Sequence, residues 1–263
     1  MKIALGLEYC GTRYCGWQRQ TNPQTVQACV EEALSRVADE QLTVYCAGRT
    51  DTGVHALHQI IHIETNVIRE MHSWVFGGNV NLPDDISILW AKVVDNDFHA
   101  RFSATGRTYR YVILNRPARS GLFHNRVTWE YRALDERHMQ QASTCLVGEH
   151  DFTSYRAIDC QAKTPVRTIK WLDIRRQGDY VVIEIEANAF LHHMVRNIAG
   201  VLMEIGMNKA PVDWAQQVLE KHDRTLGGVT APPEGLYLIN VNYPEKFAIP
   251  ARDGSTWSII DKC

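Results

Sequence analysis

The strongest constraint on the fold is a change of hydrophobic period that occurs twice along the chain. Residues 2–8 alternate, with Ile3, Leu5 and Leu7 on one face, which predicts a strand. Residues 25–37 then switch to helical spacing, and Val26, Cys29, Val30, Ala33, Leu34 and Val37 form one apolar stripe. Strand patterns follow at 42–46 and 58–64, a short helix near 67–76, and a strand near 86–94. The rhythm then resumes. A strand is expected at 107–114, with Tyr109, Tyr111 and Ile113 on one face, and then a helix at 136–147 capped by Asp135 and ended by Gly148. Strands near 167–174 and 180–187, helices near 193–205 and 212–220, and a strand near 236–242 complete it. The expected fold is α+β: two similar β-α-β-β-α-β-type halves with mainly antiparallel sheets, meeting around a central cleft. The division is placed between residues 1–98 and 99–263.

Composition narrows the class. With 263 residues, 45% hydrophobic and 22% charged, the chain has the makeup of a globular protein. No apolar run is long enough to span a bilayer, and Met1-Lys2-Ile3-Ala4-Leu5 lacks the layout of a signal peptide, so a cytoplasmic location is expected. Seven cysteines, odd in number and without a C-x-x-C pair, argue for scattered thiols over a disulfide framework or a zinc site. The net charge of −2 conceals an uneven distribution. No acidic residue lies between Asp97 and Glu130, a stretch holding Arg101, Arg107, Arg110, Arg116, Arg119 and Arg126. Such a segment is either a solvated loop or a surface for phosphate.

The segment Gly48-Arg49-Thr50-Asp51-Thr52-Gly53-Val54-His55-Ala56 places a carboxylate and a guanidinium two residues apart between glycines. Two readings fit: an Asx-turn with a surface ion pair, or a carboxylate held ionised for nucleophilic or electrostatic work. His58 and His62 share a strand face but sit about 13 Å apart, too far to ligate one ion, so no metal site is expected.

The chain resembles the tRNA pseudouridine synthase A family through seven ordered blocks. The Gly48–Ala56 segment resembles that family's G-R-T-D-x-G-V-H-A motif, and Gly11–Gln20 its G-T-x-Y-x-G-W-Q-x-Q. Phe98–Ala104 with Arg107–Tyr111, Asp151–Ser154, Thr164–Arg167, Phe190–Asn197 and Thr230–Leu236 follow in the family order. Cys10 stands where the family usually has Asp, and Thr52 where it usually has Ala.

The resemblance implies a cofactor-free isomerase that detaches uracil from C1′ of ribose, rotates it and rejoins it through C5. The implied substrate is tRNA at uridines 38, 39 and 40 of the anticodon stem-loop, and the implied assembly is a homodimer. It assigns Asp51 as the catalytic carboxylate, acting at C1′ as nucleophile or at C2′ as base, and Arg196 as its ion-pair partner. Without the resemblance Arg196 is a helix-surface arginine off the apolar stripe. Tyr109 is assigned to stacking on the base, worth roughly 1–3 kcal/mol, and to help with the C5 proton. Arg49 is assigned to opening the stack, which costs on the order of a few kcal/mol. Leu236 is assigned to packing on the base. Arg101, Arg107 and Arg110 are the expected backbone contacts, with Arg13 and Arg19 as a second set. Trp17 reads equally as core or as part of that contact. The rival functions are a non-catalytic RNA-binding module, a pseudouridine synthase acting on another RNA site, and a glycoside or nucleoside hydrolase. The last needs two working carboxylates where the motif offers one.

Overall fold

A computed structural model describes residues 1–251. The described residues form two compact units, one of residues 1–105 together with 238–251, the other Gly106–Tyr237. The first unit therefore extends past the division read at 98/99 and regains the chain near its end. Part of the reason lies in Phe98, whose ring packs on Tyr243 and Phe247 at centroid distances of 5.2 and 5.1 Å, and in Thr105, whose amide donates to the Asn242 carbonyl.

In the first unit β1 (Lys2–Tyr9) lies between β4 (Ile86–Val94) and β3 (His55–Glu64), antiparallel to both. The two-residue strand β2 (Tyr45–Cys46) pairs with β3. Ile3, Ala4, Leu5, Gly6 and Leu7 are all buried, so β1 is covered on both faces, unlike the half-buried strand its alternation suggests. The small residue Gly6 permits this, because the Trp90 indole lies where its Cβ would be. Helix α1 (Val26–Ala38) starts at Thr25, whose Oγ1 accepts the Ala28 amide at 3.4 Å, and ends at Asp39 in the left-handed region.

Two expectations shift here. The strand pattern at 42–46 yields only β2, because the Leu42 and Val44 amides bond Ser35 Oγ and Glu31 Oε1 of α1 instead of a neighbouring strand. The helix expected at 67–76 is α2 (Met71–Asn81). Gly78 sits inside the helix with Ile88 of β4 against it, 2.3 Å from where a Cβ would stand.

In the second unit β5 (Gly106–Asn115) pairs antiparallel with β9 (Tyr180–Ala187), β9 with β8 (Val166–Gln177), and β8 with β7 (Gly148–Asp151). A parallel strand β6 (Thr128–Glu130) lies beside β5. Helices α3 (Glu136–Ser143), α4 (Met194–Gly206) and α5 (Trp214–Lys221) complete the unit. Asp135 caps α3 as expected, accepting the amides of Arg137 and His138 at 2.9 and 3.1 Å. Strand β10 (Leu236–Asn242) begins in this unit and runs into the first, where it neighbours β3. The mixed α+β class with mainly antiparallel strands stands as expected. Among the described residues no helix is long and apolar enough to cross a membrane.

Candidate active site

Asp51 lies on the loop joining β2 to β3, partly exposed, with Arg49 exposed beside it. The loop is braced at both ends. Gln59 of β3 clamps Gly48 by donating to its carbonyl at 2.6 Å and accepting its amide at 3.3 Å. At the other end the Val54 amide closes a turn on the Asp51 carbonyl at 3.1 Å, and the Gly53 amide reaches the Tyr14 carbonyl at 3.4 Å.

The middle of the loop rests on the segment Tyr9–Trp17. The Trp17 amide donates to the Thr50 carbonyl at 2.9 Å, and the Tyr9 and Thr50 hydroxyls share a buried hydrogen bond of 2.8 Å. Gly16 has φ +79°, and a Cβ there would stand 2.8 Å from the Thr50 carbonyl oxygen and 3.1 Å from the Asp51 carbonyl carbon. Glycine is thus required at 16 by both its backbone angle and its neighbour. The pairing of the G-T-x-Y-x-G-W-Q and G-R-T-D blocks has this physical basis: one is the floor of the other.

The floor is itself anchored. Asp85 takes Arg13 Nε at 2.7 Å and the Tyr14 hydroxyl at 2.5 Å. Burial works to raise the Asp85 carboxyl, but the hydrogen bonds from Arg13 and Tyr14 hold it below its ordinary value. Arg19 pairs with Glu31 at 2.7 Å. Trp17 is 1% exposed, which decides its role as core. Cys10, at the head of this segment, is half-buried next to His55. Burial works to raise its thiol, yet hydrogen bonds with His55 and Thr12 outweigh it and bring the pKa down to about 6. His55 Nδ1 accepts the Gly11 amide at 3.0 Å.

The other two histidines of β3 are structural. His58 Nδ1 lies 3.3 Å from Asn240 Oδ1, and His62 Nδ1 accepts the Ala100 amide at 3.2 Å. Burial, with His99 and Lys2 nearby, pushes the His62 pKa down to about 4, so it stays a neutral acceptor. Arg101 is exposed, with its guanidinium carbon 5.6 Å from the Phe102 ring centroid, and Phe102 is itself 75% exposed.

The second unit holds the rest of the expected set. Tyr109 stands on β5 opposite Ile185 of β9, 8% exposed, with its ring edge-on to Phe190 at 5.1 Å. Tyr111 is fully core: its hydroxyl lies 2.6 Å from Thr128 Oγ1 and donates to the Pro232 carbonyl at 2.8 Å. Arg196 lies in the first turn of α4, half-buried and off the apolar stripe, as its position in the helical pattern suggests. Its Nε donates to the Ala231 carbonyl at 2.8 Å, and the Ala231 amide returns a bond to the Arg196 carbonyl at 3.1 Å. Asn197 ties three other segments of the unit together. It donates to the Tyr155 carbonyl at 2.7 Å and accepts from Arg224 and Thr230 at 3.0 and 2.7 Å. The His192 and His193 rings lie 4.0 Å apart between centroids, tilted by 43°, just ahead of α4. Leu236 is buried at the start of β10.

Two of the expected backbone contacts are engaged internally. Arg107 donates to the Asn188 carbonyl at 2.9 Å. Arg110 pairs with Glu184, which also takes Arg175 at 3.1 Å. Both arginines are under 10% exposed, whereas Arg101, Arg119 and Arg126 are open to solvent. Membership of the predicted strand carries the signal for this: Arg107 and Arg110 fall inside β5, which is buried on both faces, the others outside any strand. What sequence reasoning missed is Tyr9 and Thr50. The available signal was a tyrosine ending β1 immediately before the glycine-rich block.

Comparison with known proteins follows the same blocks. The family model described as tRNA pseudouridine synthase matches residues 7–103 and 142–244. The tRNA pseudouridine synthase A of Nitrosococcus oceani is 56% identical over 259 residues, covering 98% of this chain and 100% of its own length. Those of Histophilus somni and Photorhabdus laumondii are 56% and 55% identical over 250 residues, each covering 95% of this chain and, respectively, 93% and 95% of their own. Among solved structures, a Cbf5-Nop10-Gar1 complex aligns with 76% of this chain and 45% of its own at TM-score 0.35 and 9% identity, too distant to inform the site. With matches that run through both units and nearly end to end, the chain belongs to the tRNA pseudouridine synthase family.

Proposed function

We propose that this protein isomerises uridine to pseudouridine at positions 38, 39 and 40 in the anticodon stem-loop of tRNA, as a cytoplasmic homodimer and without a cofactor. The observation that carries the reading is Asp51. It sits on a loop braced through its own backbone carbonyl and through the residues on either side, in a chain 56% identical end to end to a tRNA pseudouridine synthase A. A carboxylate whose job is to meet one sugar carbon must be held within a fraction of an ångström, and this bracing supplies that.

Asp51 acts at the sugar, at C1′ or C2′. Arg196 supplies a positive charge to the reaction, and Tyr109 and Leu236 face the base. Arg49 helps open the stem. The isomerisation breaks the N1–C1′ bond and makes a C5–C1′ bond; the C5 proton is released to solvent and N1 takes one up, so it needs no redox partner. Arg101, exposed beside an exposed Phe102, is the favoured backbone contact among the three arginines. Arg107 and Arg110 act chiefly by bracing β5, the strand that presents Tyr109.

The test uses purified protein and tRNA labelled with tritium at uracil C5. Release of tritium, with pseudouridine mapped to 38, 39 and 40, is the expected result. Binding without release would make the protein a non-catalytic RNA-binding module, and release from other positions would reassign its target.

A further inference from the structure

The hydroxyl pair Tyr9–Thr50 has no need to exist for packing. Thr50 is 6% exposed and Tyr9 4%. Phenylalanine and valine at these positions would fill nearly the same volume and remove the two hydroxyls together. Replacing both partners of a buried hydrogen bond by apolar groups of the same shape is close to neutral for stability. The bond does fix where Thr50 sits. Tyr9 is the last residue of β1, paired with Ala56 of β3 and Ile86 of β4, so its ring stands on the sheet. Its ring also lies 6.0 Å from that of Trp17, whose amide holds the Thr50 carbonyl. Thr50 is therefore held by its side chain and its backbone at once, one residue before Asp51.

We propose that the Tyr9–Thr50 hydroxyl bond is a positioning latch for Asp51, making Tyr9 and Thr50 positioning residues for the reaction. The inference rests on the reading of Asp51 as the catalytic carboxylate. The sheet-borne hydroxyl holds the Thr50 side chain while the Trp17 amide holds the carbonyl of the peptide that leads into Asp51, so Thr50 is fixed at two points. Without the latch, the Trp17 bond alone holds Thr50, and the carboxylate one residue on samples positions off the sugar.

The experiment is single-turnover and steady-state tritium release on full-length protein with Tyr9→Phe, Thr50→Val, Thr50→Ser, the double variant Tyr9→Phe/Thr50→Val, and Asp51→Asn. Each of Tyr9→Phe and Thr50→Val should lower kcat on the order of tenfold, with KM and tRNA affinity within about twofold. The double variant should be no slower than the worse single one, because both remove the same bond. Thr50→Ser keeps the hydroxyl and should retain at least about half of kcat. The double variant should also unfold within about 3 °C of wild type. Wild-type kcat in both single variants, losses that multiply in the double, or a loss that falls on KM or tRNA affinity would overturn the latch. If Tyr9→Phe does not fold, the Thr50→Val and Thr50→Ser pair decides alone: equal losses in the two overturn it. Activity retained in Asp51→Asn would instead overturn the reading of Asp51, whatever the latch variants do.

Discussion

Gly16→Ala is the perturbation whose size follows most directly from the geometry. At φ +79° an alanine pays about 1–2 kcal/mol for the left-handed backbone. Its Cβ also stands 2.8 Å from the Thr50 carbonyl oxygen, and that atom is backbone, so it yields only if the Asp51 loop moves. Relief of such a contact adds about 1–2 kcal/mol, for a total of roughly 2–4 kcal/mol. In a chain of this length that lowers the thermal midpoint by about 5–15 °C. A shift of the loop by even part of an ångström lowers kcat by about 10- to 100-fold. The control is Gly178→Ala in the β8–β9 turn, where φ is +56° and nothing lies within 4 Å of the added Cβ. It pays the backbone cost alone, about 1–2 kcal/mol, with wild-type kcat. Circular dichroism melts and tritium release measure both. Equal behaviour of the two variants, in stability and in rate, would refute the claim that Gly16 is a bearing surface for the catalytic loop.

Cys10 should react with iodoacetamide with a rate that rises through a midpoint near pH 6, while Cys29 and Cys145, whose thiols burial raises, react only well above neutral; a Cys10 midpoint above pH 8 would contradict its pairing with His55. The depressed thiol also has a linkage consequence: the stability it contributes is complete above the ordinary thiol pKa and is lost as pH falls through about 6, so Cys10→Ser should flatten that part of the stability–pH curve. Arg110→Gln removes one of the two arginines on Glu184 and should cost about 2–3 kcal/mol in urea unfolding, less than for an isolated buried pair because Arg175 remains. Burial works to raise the Glu184 carboxyl, but Arg175 and Arg110 hold it below its ordinary value, so the stability it lends is present above about pH 4.3 and disappears as pH falls through the folded-state pKa. The variant should lose less stability than wild type over that acid range.

Much of the fold was legible because period and burial coincide. The stripe of α1, the alternation of β9 and the capped start of α3 each carry their own signal, and each formed within a few residues of its expected place. What could not be read depends on partners far away in sequence. Residues 42–44 have strand residues, but their amides are taken by Ser35 and Glu31 of α1. Gly78 inside α2 is a packing surface for Ile88, a contact that local spacing does not show. Strands β6 and β7, three and four residues long, are too short to show a period. For the site, the glycine-bracketed Asp51 was visible as a motif, yet its pattern alone fitted a structural turn as well as a catalytic loop. The bond from Tyr9 to Thr50 joins residues 41 apart and leaves no trace in local spacing. Arg107 and Arg110 looked like members of one basic segment until strand pairing set them against Asn188 and Glu184.

The central claim is that Asp51 performs chemistry and does not merely shape a turn, and Asp51→Asn tests it most directly. Asparagine keeps the size and most of the hydrogen bonding of the side chain and removes only its charge and its basicity. Tritium release from C5-labelled tRNA should fall by on the order of 10³-fold or more, with tRNA affinity within about threefold and an unchanged melt. An Asp51→Asn protein that folds, binds tRNA and still releases tritium at a tenth of the wild-type rate or faster would contradict the account.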